Sequence, residues 1–174
     1  MTTDQIALWT SAAHAFEARH RLVTADHMSL PTPCSEFDVA ELIAHATATQ
    51  VNFGRIFGGD AADDATWAEA RDIMAAALTV PGSTDGSIDH PAFGEIAKQQ
   101  MLAIATNDML IHSWDLARAI GADETMPHEN LQPAIDGIES FPEPQRSQVF
   151  GAPLDVDPSA DLQQRMLAVA GRRA

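Results

Sequence analysis

The run Thr106-Asn107-Asp108-Met109-Leu110-Ile111-His112-Ser113-Trp114-Asp115-Leu116-Ala117-Arg118-Ala119 contains no glycine or proline. Good helix formers dominate it, so it is predicted to be helical. On a 3.6-residue wheel Met101, Ile104, Ala105, Asp108, His112, Asp115, Leu116 and Ala119 fall on one stripe. That stripe is mostly apolar and should face a core. Three of its members are nevertheless ionisable, and a buried carboxylate without a partner is costly. Asp108 and His112 lie one turn apart on the same face, so their side chains can converge on one point. That point is either a mutual hydrogen bond or a metal ion.

Working outward, the helix containing this run should extend from about Glu95 to Ile120 and stop at Gly121. Upstream, Thr3 to about Val23 reads as a first helix, with Ile6, Trp9, Ala13, Phe16 and His20 as its buried face. His14 and His20 are read as surface or boundary histidines. Pro31 and Pro33 interrupt the chain between Ser29 and Phe37, because each removes a donor and restricts its predecessor. Cys34 in that break is either a small buried side chain or a reactive thiol. Asp38 and Glu41 form a capping-box pattern that opens a second helix, running to about Phe57 before Gly58-Gly59. Its face carries Asp38, Leu42, His45, Thr49, Asn52 and Ile56. Thr49 and Asn52 either line a small polar pocket or mark where the stripe meets solvent.

A third helix is expected from Asp64 to Leu78, followed by a turn-rich loop at 81–86. Ser87 to Phe93 reads as a short extended piece, too short and too proline-broken for a sheet, with His90 exposed. Beyond Gly121, a helix near His128–Ile138 precedes breaks at Pro142 and Pro144. An extended stretch from Gly151 to Pro158 leads to a last helix capped by Ser159 and ending near Ala170. Leu162, Met166 and Val169 should form its apolar face.

The chain has 174 residues, 45% of them hydrophobic, and no internal repeat or linker. One all-α domain over 1–174 is expected: a four-helix bundle with short extra C-terminal helices. Net charge is −15, from 25 acidic against 10 basic residues. That disfavours nucleic acid and anionic membrane as partners. A single Cys excludes an internal disulfide or a Cys-based zinc cluster. No apolar run is long enough to span a bilayer and no signal segment opens the chain, so a cytoplasmic location is the default.

His45 with the Asp108/His112 pair gives two imidazoles and a carboxylate, all on core-facing stripes. Three such ligands plus one open position describe catalytic zinc sites, and the same donors suit nickel or ferrous iron. Asp115, one turn beyond His112, either accepts an imidazole N–H from behind the ligands or pairs with Arg118.

These residues carry a resemblance. Thr32-Pro33-Cys34-Ser35-Glu36-Phe37-Asp38-Val39, Leu42-Ile43-Ala44-His45, the run from Asp108 to Ala119, and Phe150-Gly151-Ala152-Pro153-Leu154-Asp155-Val156 resemble the DinB-like metal-binding superfamily. The branch is the actinobacterial one related to mycothiol-dependent maleylpyruvate isomerase, in its N-terminal metal-binding domain. The resemblance implies a four-helix bundle with a metal between the second and fourth long helices, held by His45 and His112. The isomerase carries Glu where this chain has Asp108, one methylene shorter, so Asp108 either ligates directly or holds a metal-bound water. The isomerase's additional C-terminal domain is not expected in a chain of this length. Implied functions are a metal- and mycothiol-type thiol-dependent transferase or isomerase acting on a small molecule, with a homodimer as the family-level expectation. A metal-dependent hydrolase on the same site and a non-catalytic metal-binding protein are the alternatives.

Overall fold

The computed structural model describes residues 4–143, 146 and 149–174. The expected helix start at Thr3 and the break at Pro144 lie outside them. The fold is mostly helical, with six α-helices, one short 3₁₀ turn and a two-stranded hairpin among the described residues. The helices are α1 (Gln5–His20), α2 (Val39–Ile56), α3 (Trp67–Leu78), α4 (Lys98–Ile120), α5 (His128–Glu139) and α6 (Leu162–Val169). None of them is long and apolar enough to cross a membrane.

Side-chain caps set most of the starts. Asp4 accepts from Ile6 and Ala7 N–H at the head of α1. The box read from Asp38 and Glu41 forms, with reciprocal bonds of 2.9 and 3.0 Å. α3 begins at Trp67 rather than Asp64, because Thr66 and Glu69 make the box there. The last helix is capped by Asp161, not Ser159. Asp161 accepts from Gln164 N–H, while Ser159 is tied back into a turn by Asp157.

Ser87–Phe93 corrects the sequence reading. Ser87–His90 (β1) pairs antiparallel with Gly94–Ala97 (β2), in the register Ser87↔Ala97 to His90↔Gly94. Pro91 falls in the turn and takes no ladder position, so it breaks nothing. α4 consequently starts at Lys98. His90 is half-buried, stacked on Phe93 at 4.8 Å.

α4 is the central element. It packs along α1 and α2 and also touches α5 and β2, while α2 packs on α3 and α5 on α6. From Met101 to Ala117 only Ala103 and Asp108 keep partial exposure. The expected single buried stripe is therefore a helix buried nearly all round. Its N-terminal half meets Trp9, Phe53, Phe57, Met74 and Leu78. Its C-terminal half meets Phe16, Leu42, Trp67, Ile138 and Met166. Full burial of each such side chain contributes about 1.5–3 kcal/mol. On α1, Trp9, Ala13 and Phe16 are buried as expected, but Ile6 is exposed, His14 lies outside, and His20 is half-buried beside Phe16 and Trp67.

Candidate metal centre

The packing of α2 on α4 brings His45 against the middle of α4. His45 Nε2 lies 3.3 Å from Asp108 Oδ1, and His112 Nε2 lies 3.5 Å from the same oxygen. The two imidazoles stand edge to face, with centroids 4.9 Å apart. Ligand atoms of His45, Asp108 and His112 all fall within 4.8 Å of one another. Asp108 Oδ2 is buried and has no hydrogen-bond partner among the described residues.

The double-proline segment forms one wall. Thr32 Oγ1 donates to the carbonyls of both Cys34 and Phe37, at 2.9 and 2.7 Å, closing a tight loop. That loop lays the Phe37 ring on His45, 4.9 Å between centroids and 27° from parallel. Ile111, Val149 and Phe150 add apolar wall, and Arg172 closes the far side of a cavity of about 600 Å³. Cys34 lines it as well, half-buried. Burial pushes its thiol up, and the nearby Arg172 charge opposes this only in part.

Asp115 is fully buried, at 0% exposure, and its environment answers the question its position raised. Arg172 Nε donates to Oδ1 at 2.8 Å and Nη2 to Oδ2 at 2.9 Å. His112 Nδ1 meets Oδ2 at 3.0 Å. Burial alone would push this carboxyl up; the hydrogen bonds from His112 and Arg172, with the Arg172 charge, reverse the effect and hold it below the usual carboxylate range. An ionised carboxylate only accepts, so His112 Nδ1 is the donor, and a neutral ring with that hydrogen has its lone pair on Nε2, the side of Asp108.

The alternative pairing of Asp115 with Arg118 does not form. Arg118 lies over the Trp114 ring at 4.7 Å and pairs with Glu124. His45 sits above the ordinary imidazole value because Asp108 is hydrogen-bonded to it. Burial works against this, and the charges of Asp108 and Glu36 reinforce it.

Thr49 is half-buried and Asn52 exposed, and neither lines the cavity. A second group, Cys34, His112 and Asp115, also falls within 4.8 Å. Both Asp115 oxygens there already take guanidinium N–H groups, and the positive charge of Arg172 disfavours a cation beside them. Arg172, Phe37 and Phe150 are the site residues that sequence reasoning missed. The signal for Arg172 existed: a buried Asp115 needs a cation, and an unassigned basic pair follows Gly171.

No family model matches the chain, and no solved structure matches it. The chain is 32% identical over 137 residues to an uncharacterized protein of Mycobacterium tuberculosis strain H37Rv, covering 72% of each chain. The same identity and coverage hold for an uncharacterized protein of strain CDC 1551 / Oshkosh. On that likeness the chain belongs to the family of these mycobacterial proteins.

Proposed function

We propose that this protein is a DinB-like four-helix bundle that binds one divalent cation, zinc foremost and nickel or iron by the same donors, through His45, Asp108 and His112. The pairing of α1 with α4 and of α2 with α3 and α4 supports the bundle reading. One observation carries the metal reading: two Nε2 atoms converge on one carboxylate oxygen whose sister oxygen is buried and finds no partner among the described residues. The separations of 3.3 and 3.5 Å are long for N–H···O bonds, which run about 2.7–3.2 Å. They suit two donors sharing a tetrahedral ion, whose bonds of about 2.0–2.1 Å put neighbouring ligands roughly 3.3 Å apart.

A cation held there supplies one kind of chemistry, lowering the pKa of a bound water or thiol toward neutrality. The chain's own residues do the rest. Asp115 orients His112, Phe37 fixes the His45 ring, and the walls from Phe37, Val149 and Phe150 exclude water from a small substrate. The reaction class is transfer or isomerisation dependent on a low-molecular-weight, mycothiol-type thiol. The test is metal-loaded protein incubated with such a thiol and a panel of small electrophiles. Thiol consumption that disappears in His45→Ala supports the reading. Turnover of esters or amides without thiol points instead to a hydrolase. A metal-loaded protein that melts no higher than the stripped one points to a degenerate site, because a ligand of the native state must stabilise it.

A further inference from the structure

The metal reading leaves Arg172 unused, although it is the most elaborately placed side chain near the site. α6 ends in a Schellman motif: Gly171 N–H donates to Ala168 O at 3.0 Å and Arg172 N–H to Leu167 O at 2.7 Å. Gly171, at φ 75°, turns the chain sharply enough to aim Arg172 inward. The backbone of 170–171 crosses that of 151–152 at close range. The guanidinium then reaches α4 and engages both oxygens of Asp115, with its side chain only 13% exposed.

We propose that Arg172 is a positioning residue: its fork on Asp115 fixes Nδ1 of His112 as the donor and so presents Nε2, lone pair free, beside Asp108 and His45. This rests on the reading of His112 as a metal ligand. A guanidinium supplies donors only, and with two of them on the Asp115 oxygens the carboxylate is an acceptor toward His112. Without the fork, Asp115 loses the two bonds that hold its oxygens in place, and a carboxylate turned away from Nδ1 frees the ring to take the opposite tautomer, in which an Nε2–H blocks ligation. The C-terminal end of the chain thus sets the state of a ring on the central helix.

Three variants test it, each with two readouts. Arg172→Met keeps the stem and removes the fork, Arg172→Lys restores a point charge, and Asp115→Asn must show its carbonyl to Arg172 and its amide N–H to His112. The readouts are zinc affinity by chelator competition and the ring-nitrogen NMR shifts of His112 in metal-free protein. The wild type should show the Nδ1–H tautomer. Arg172→Met should lose it and bind zinc about 10- to 100-fold more weakly, the usual range for partners behind a ligand. Arg172→Lys should recover part of both, and Asp115→Asn should switch to Nε2–H. A purely structural role would lower stability without moving the tautomer. Wild-type tautomer and zinc affinity in both Arg172→Met and Arg172→Lys would overturn the inference while leaving the metal reading intact. A wild type that binds no zinc would overturn the metal reading instead, and the metal-free tautomer comparison would still decide the role of Arg172.

Discussion

Gly121 and Gly171 end helices in the same backbone conformation, at φ 67° and 75°, yet replacing each by alanine should have very different consequences. A Cβ at Gly121 meets no described residue within 4 Å. Only the left-handed conformation is penalised there, so Gly121→Ala should cost about 1–2 kcal/mol. A Cβ at Gly171 would lie 2.7 Å from Gly151 Cα, 2.8 Å from its carbonyl carbon and 2.9 Å from Ala152 O. All three are backbone atoms, so no flexible side chain can move aside. Forcing such a shift adds an overpacking cost of about 1–3 kcal/mol. Gly171→Ala should therefore cost about 2–5 kcal/mol in total, the sum of those two ranges. Urea unfolding of both variants, compared at equal m-value, measures the difference. Because Gly171 delivers Arg172 to Asp115, the same variant should also weaken zinc binding, which Gly121→Ala should leave unchanged. Equal destabilisation by the two substitutions would refute the account of the crossing, and unchanged zinc affinity in Gly171→Ala would refute its link to the site.

Leu42→Ala, at a fully buried position in the core beside the site, should cost about 2–5 kcal/mol by chemical denaturation. Arg172→Met strands a fully buried carboxylate and should cost about 3–5 kcal/mol. Burial lowers the pKa of His20, with Glu17 opposing, so the fold favours its neutral form. The contribution is present above the unfolded imidazole value of about 6.5 and is lost as pH falls through the lower folded value. Melting curves at neutral and mildly acidic pH should show a steeper acid loss for the wild type than for His20→Asn. Removing Gln50 by Gln50→Ala strands the Trp9 indole N–H, which donates to it at 2.9 Å in the core, and should cost about 1–3 kcal/mol. An unchanged melting temperature in that variant would contradict the bond's burial.

Local signals in the chain carried the helices well, because caps and stops act over three or four residues. Asp38 with Glu41 and the stop at Gly121 were legible for that reason. The convergence of Asp108, His112 and Asp115 was legible too, since helical periodicity alone puts them on one face. A wheel assumes one buried face, however, so it could not show that α4 is enclosed by neighbours on several sides. Asn52 follows the second of its two readings, the point where the stripe meets solvent. The C-terminal half of α2 turns Val51, Phe53 and Gly54 inward, where Gly54 packs against Met74 of α3, and leaves Asn52 outside. The hairpin at 87–97 was missed because Pro91 was weighed as a strand residue when it belongs to the turn. Arg172 was missed because its partner is 57 positions away, beyond the reach of any local pattern. Buried charge is the usable clue, and in sequence Arg118 is only the nearer of the cations that could answer it.

His45, Asp108 and His112 are proposed to hold one divalent ion jointly. Elemental analysis of the purified wild type, His45→Ala and His112→Ala after equilibration with zinc and removal of excess tests it most directly. Close to one metal per chain is expected in the wild type, with its loss in both variants. A wild type without metal, or full occupancy in both variants, would contradict it.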